Sequence, residues 1–214
     1  MTPARSAQHR QLREDHLGAS TFIEKGWNLI ANGEFIAAEK ALTTALLLAP
    51  SDRRARSLFG WAQMRQGRLD EALATLDGVL AEDPMNGLAR ASLGYVCLRK
   101  GLYREADDHL SRASRQTRDP KAALYGWFYL GMLHADLRDV VEAERCFRKT
   151  ISLAPNFIEA YYELGRAFLL AGEVGEAEKA WRGGISANRF NVWGRRCAEA
   201  IRQAQTGQEP RSFS

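Results

Sequence analysis

The sequence is poor in the features that mark secreted, membrane-spanning or catalytic chains. Its 214 residues hold three cysteines, Cys97, Cys146 and Cys197, an odd number without C-x-x-C spacing. That argues against a disulfide framework or a zinc site, and the three read as small buried or half-buried apolar residues. No apolar run exceeds the five residues of Ala45–Ala49, far too short to span a bilayer. Met1 to Gly18 lacks an apolar core and is rich in Arg, Gln and His, so no signal peptide is expected and the cytoplasm is the default location. Histidine is scarce: His9, His16, His109 and His134. His134 falls at a helix-packing position and reads as a core residue rather than a base. With no Gly-rich phosphate loop, metal-ligand spacing or nucleophile motif, neither an enzyme nor a cofactor, metal or small-molecule substrate is expected. Charge excess is modest, at +4. The clusters Arg53-Arg54-Arg56 and Arg112, Arg115, Arg118, Lys121 read as solvated helix faces, which disfavours nucleic-acid binding.

What the sequence does have is a period. Gly26, Gly60, Gly94, Gly131 and Gly165 are separated by 34, 34, 37 and 34 residues. A fixed period near 34 marks a helix–turn–helix solenoid. Twelve residues after each glycine stands an alanine: Ala38, Ala72, Ala106, Ala143, Ala177. Four residues further stands a large apolar residue: Leu42, Leu76, Leu110, Phe147, Trp181. Gly and Ala let two helices approach closely, and the large residue fills the space beside them. Seven residues after each glycine comes a helix stop: Gly33, Gly67, Gly101, Arg138, Gly172. Four are glycine, as a left-handed C-terminal residue requires. Pro50, Pro84 and Pro155 close three second helices.

These residues resemble the tetratricopeptide repeat (TPR) family, whose signature runs W-x2-L-G-x2-Y, A-x3-F, P. The fourth unit matches through Trp127, Leu130, Gly131, Ala143, Phe147 and Pro155. The fifth matches through Tyr161, Leu164, Gly165, Phe168, Ala177 and Trp181. Arg56 and Arg90 depart from the pattern where an aromatic is favoured, and Gln63 and His134 where Tyr is. The third unit ends late, at Pro120, after the polar run Ser114–Asp119, which should lengthen a loop or add a helical turn.

The resemblance implies an all-α, right-handed superhelical solenoid of about five helix pairs, spanning about 19–52, 53–86, 87–123, 124–157 and 158–191. Residues 1–18 read as a flexible or weakly helical segment and 207–214 as a disordered tail. Residues 192–206 read as a capping helix, with Trp193, Cys197 and Ile201 on one apolar stripe.

In the TPR architecture the first helix of each pair lines a concave face. The stripe beside the glycines then supplies candidate contacts: Ile23, Trp27, Ile30, Trp61, Met64, Tyr95, Leu98, Tyr125, Phe128, Met132, Tyr162 and Arg166. An exposed apolar stripe rich in Trp, Tyr and Arg marks a partner site. The groove has almost no Lys or Asn to clamp a terminal carboxylate. The expected partner is therefore an apolar or amphipathic helix or peptide with acidic flanks, bound by a non-catalytic scaffold or adaptor. A chaperone for a secreted or assembly-system client and a self-associating structural protein are the alternatives.

Overall fold

A computed structural model describes residues 3–116 and 118–206, with side chains from Leu17 onward. Among the described residues there are eleven α-helices and no strand. They fall into two compact units, Met1–Leu102 and Tyr103–Ser214, whose boundary separates the two helices of the third repeat.

The first unit holds α1 (Pro3–Ala31), α2 (Phe35–Leu48), α3 (Arg53–Arg65), α4 (Leu69–Glu82) and α5 (Gly87–Arg99). Helices α1 and α2 pair, as do α3 and α4, and α5 packs on both α3 and α4. No break separates residues 3–18 from the first repeat; α1 runs through as one helix. Gly18 meets the second helix there, since a Cβ on it would lie 3.2 Å from Leu48 Cδ1.

The second unit holds α6 (Tyr103–Ser114), α7 (Pro120–Asp136), α8 (Val140–Leu153), α9 (Ile158–Leu170), α10 (Val174–Asn188) and α11 (Val192–Gln205). Within it α6 packs on α7, α7 on α8, α9 on α10, and α11 covers both α9 and α10. The expected tail, 207–214, lies outside the described residues.

The glycine period is explained by contacts across each helix pair. A Cβ on Gly26 would lie 2.6 Å from Leu42, one on Gly60 2.8 Å from Leu76, and one on Gly131 2.6 Å from Phe147. Gly165 meets Trp181 in the same way. The large residue sixteen positions on occupies the space a side chain would need, so each of these four pairs interlocks at one fixed register. All five helix stops are left-handed: Gly33, Gly67, Gly101 and Gly172 have φ of 73–81°, and Arg138 has φ 63°. The chain then folds back through a bond from the next N–H to the carbonyl five residues earlier, as Asp139 N–H to His134 O at 2.9 Å. Asp52, Asn86, Asp119, Asp139 and Asn191 cap the helices that follow them, each accepting a backbone N–H of the first turn.

The longer third interval is resolved in detail. Helix α6 has 12 residues where α2, α4 and α8 have 14, and α7 has 17 where α3, α5 and α9 have 13. The inserted residues thus give α7 an extra N-terminal turn. Pro120 does not close a unit: it opens α7 at a position where its missing N–H costs nothing. Gly126, which follows that turn, lies against the end of α6, where a Cβ would lie 2.5 Å from Ser114 N and 2.8 Å from Ser114 Cα.

Candidate protein-binding site

The twelve candidate contacts divide by burial. Eight are buried, with 1–6 % of their surface exposed: Ile23, Ile30, Trp61, Met64, Tyr95, Leu98, Phe128 and Tyr162. Trp27, Tyr125, Met132 and Arg166 are half-buried. Neighbouring aromatic rings cover several of them. Trp27 stands 5.4 Å, centroid to centroid, from Trp61. Tyr125 and Phe128 both meet Phe157 edge-on, at 5.7 and 5.0 Å. Tyr162 lies 5.4 Å from Trp193 of α11. Trp27 and Trp61 thus join the first repeat to the second. Arg166 is tied to buried Glu163 at 2.6 Å, and burial raises the Glu163 carboxyl although Arg166 pulls it down.

A different face of the fourth repeat is open. Between the end of α6, the first half of α7 and the end of α8 lies a cavity of about 730 Å³. Its apolar wall is Ala123, Leu124, Trp127 and Leu153. Leu153 remains 47 % exposed. The exposed cations Arg115, Lys121 and Lys149 border it, and no carboxylate is among its described lining residues. The volume falls within the range of about 300–1,000 Å³ typical of ligand-sized clefts. Trp127 is held in place by Arg145, whose guanidinium carbon sits 5.4 Å from the ring centroid.

The second repeat shows why this cavity is open. Trp127 stands four residues before its glycine and Leu153 twenty-two after; the same positions around Gly60 are Arg56 and Glu82. There Arg56 closes on Glu82 in a two-pronged ion pair, Nη1 to Oε1 at 2.7 Å, and also reaches Ser51 O. That pairing holds the Glu82 carboxyl below its ordinary range. In the fourth repeat both positions are apolar, so no ion pair spans the space. The sequence reading singled out Trp127 only as a family signature, and these two offsets alone do not mark the cavity, since Phe22 with Leu48 and Tyr161 with Ala187 carry no ion pair there either.

All three cysteines are buried and unbridged. Burial pushes the Cys146 thiol up to about 11 and that of Cys197 to about 12. Among the described residues no helix is long and apolar enough to cross a membrane.

Two models of the family described as Tetratricopeptide repeat match this sequence, one over residues 29–91 and one over residues 124–157. With the repeat geometry above, the chain belongs to the tetratricopeptide-repeat family. A tetratricopeptide repeat-containing protein of Caenorhabditis elegans, trd-1, is 29% identical over 113 residues, 52% of this chain and 14% of its own length. Superkiller protein 3 of Schizosaccharomyces pombe is 26% identical over 171 residues, 76% of this chain and 12% of its own. The chain thus spans less than a sixth of these curated relatives. A thermophilic TPR protein of Thermus thermophilus superposes with a TM-score of 0.73 at 22% identity, over 86% of this chain and 98% of that one. At that identity the likeness is one of fold, and the fold is that of a protein–protein interaction scaffold.

Proposed function

We propose that this protein is a non-catalytic, cytoplasmic adaptor that holds an amphipathic protein segment with acidic flanks in the Trp127 cavity. The observation that carries the reading is the combination of an open apolar wall with a border of Arg115, Lys121 and Lys149. An apolar side chain entering beside Trp127 and Leu153 would lose its contact with water, worth about 1.5–3 kcal/mol before ordering costs. Acidic neighbours on the same segment would meet the three cations, which favours fast, salt-sensitive association. The half-buried inner residues Trp27, Tyr125, Met132 and Arg166 form a second contact surface in this reading.

The test is a random-peptide selection on the immobilised full chain. The enriched peptides are expected to share an aromatic or leucyl residue flanked by Asp or Glu. They should lose binding to Trp127→Arg/Leu153→Glu, which copies the Arg56–Glu82 pair of the second repeat into the cavity. Circular dichroism checks that this variant stays folded. Retention there with loss on Met132→Glu moves the contact to the inner face. Retention by both variants, or enrichment of basic peptides, sinks the reading. A rise in solution mass without peptide favours self-association instead.

A further inference from the structure

We propose that His134, Glu142 and Cys146 form a binding site for a thiophilic divalent metal ion of the zinc class in the fourth repeat. One ligand atom from each, an imidazole nitrogen, a carboxylate oxygen and the thiol sulfur, lies within 4.8 Å of the other two. In a tetrahedral site, ligands about 2.0–2.3 Å from the metal sit about 3.3–3.8 Å apart. Side-chain adjustments of about an ångström would therefore close the triad on an ion. Nitrogen, oxygen and sulfur together suit zinc, and the thiolate disfavours magnesium and calcium.

The backbone builds this cluster. His134 lies in the last turn of α7, Glu142 in the first turn of α8 and Cys146 one turn later. The left-handed Arg138 and the Asp139 N–H to His134 O bond fold α8 back so that the three converge. The second repeat shows the same convergence with other chemistry. Gln63, Glu71 and Thr75 hold the equivalent positions around Gly60. There Thr75 Oγ1 donates to Gln63 Oε1 at 2.9 Å, and Gln63 Nε2 to Glu71 Oε2 at 3.4 Å. In the fourth repeat the three positions carry metal-ligating groups instead.

The surroundings fit the role. Asp139 Oδ2 lies 3.8 Å from His134 Nδ1, an acidic neighbour for the imidazole. Arg145 holds Glu142 Oε2, with Nη2 at 2.6 Å, which fixes the carboxylate's direction. Cys146 is fully buried while His134 and Glu142 are half-buried, so an ion has a path from solvent to the sulfur. On binding, the S–H bond breaks, the proton passes to solvent and the sulfur bonds the metal. Three protein ligands leave one position for water or a partner group.

The experiment titrates cobalt(II), then zinc, into the full chain after chelator treatment. The expected result is a saturable thiolate-to-cobalt charge-transfer band at one ion per chain, displaced by zinc. Cys146→Ser should abolish the band. His134→Ala should weaken binding by about tenfold or more, since even outer groups around a metal change affinity by about 10–100-fold. Circular dichroism establishes that both variants stay folded, and Cys97→Ser, expected to keep the band, serves as the control. No charge-transfer band, or a band that survives Cys146→Ser, overturns the proposal. So does one lost with Cys97→Ser, which would place the ion away from His134 and Glu142. The site shares no ligand with the Trp127 cavity, so peptide binding and metal binding can fail separately.

Discussion

Gly126→Ala tests the close approach of α6 and α7. The substitution adds one methyl group at a position where a Cβ would stand 2.5 Å from Ser114 N, 2.8 Å from Ser114 Cα and 2.9 Å from Ala113 C. All three are backbone atoms, so no rotamer change relieves the overlap. Normal contact between such atoms begins near ~3.5 Å, so α6 and α7 must part by about an ångström. Overpacking of this kind costs about 1–3 kcal/mol, and a rigid backbone neighbour places it at the upper end. Against this stands a gain of about 0.5–1 kcal/mol from replacing a mid-helix glycine. The net expectation is a loss of about 2 kcal/mol, or about 4–8 °C in Tm for a chain of this size. Gly78→Ala supplies the control. Gly78 lies within α4, exposed, with nothing within 4 Å of an added Cβ, so only the helix gain applies and Tm should rise by about 2 °C. Thermal melts followed by far-UV circular dichroism compare the two. Hydrogen exchange should show faster opening of α6 and α7 in Gly126→Ala alone. If Gly126→Ala melts at or above Gly78→Ala, the close approach of α6 and α7 is not what the second unit rests on.

Arg138→Gly should raise Tm by about 1–4 °C, because φ 63° costs a side chain-bearing residue about 1 kcal/mol that glycine avoids; a fall would mean the Arg138 side chain contributes more than its backbone strain costs. Trp181→Phe removes the indole N–H donated to Tyr162 O at 3.0 Å in a buried site and leaves a void beside Gly165. A loss of about 2–3 kcal/mol in urea unfolding is expected, and a change below about 0.5 kcal/mol would show that the bond carries no net weight. Burial holds the Glu163 carboxyl above its ordinary 4.5, against the pull of Arg166. A raised carboxyl favours the fold below its unfolded pKa and loses that contribution as pH rises through the folded value. The stability of wild type relative to Glu163→Gln should therefore fall as pH rises above the ordinary 4.5, and a pH-independent difference in denaturant midpoints would contradict the burial argument.

The scaffold was largely legible because its constraints are local and periodic. Gly26, Gly60, Gly131 and Gly165 must each share one space with the partner sixteen residues on, and each left-handed stop must be glycine or tolerate strain, as Arg138 does. These demands write themselves into the sequence at fixed offsets. Pro120 was misread because proline serves equally after one helix and at the start of the next; Asp119, a strong N-cap just before it, carried the signal for a start. Gly126 went unnoticed because it departs from Ala55, Ala89 and Ala160 at the same offset by a single methyl group. Periodicity groups the stripe residues on one side of each first helix, but it says nothing about what covers them. Phe157 lies in a loop and Trp193 on α11, and neither stands in the helices whose stripe was being counted. The Trp127 cavity was hidden for the same reason. It depends on a pair of residues in different helices, and each looks ordinary alone.

The two proposed sites arise from one property of repeats. Because the backbone is nearly constant from unit to unit, side chains at equal offsets meet whatever their chemistry. Gln63, Glu71 and Thr75 hydrogen-bond where His134, Glu142 and Cys146 bring ligand atoms together. Arg56 and Glu82 close the space that Trp127 and Leu153 leave open. A packing position must keep its size and apolar character to preserve the register, so it has little room for new chemistry. A position on the margin of the helix pair is not bound in that way, and a change there alters surface and reactivity while the fold persists. Both departures fall in the pair α7 and α8, beside the extra turn that distinguishes α7 from α3, α5 and α9. Helix α6 packs on α7, and the residues that the turn adds, Pro120 and Lys121, line the cavity. Lengthening α7 and removing the ion pair are thus complementary changes: one supplies new wall, the other vacates the centre.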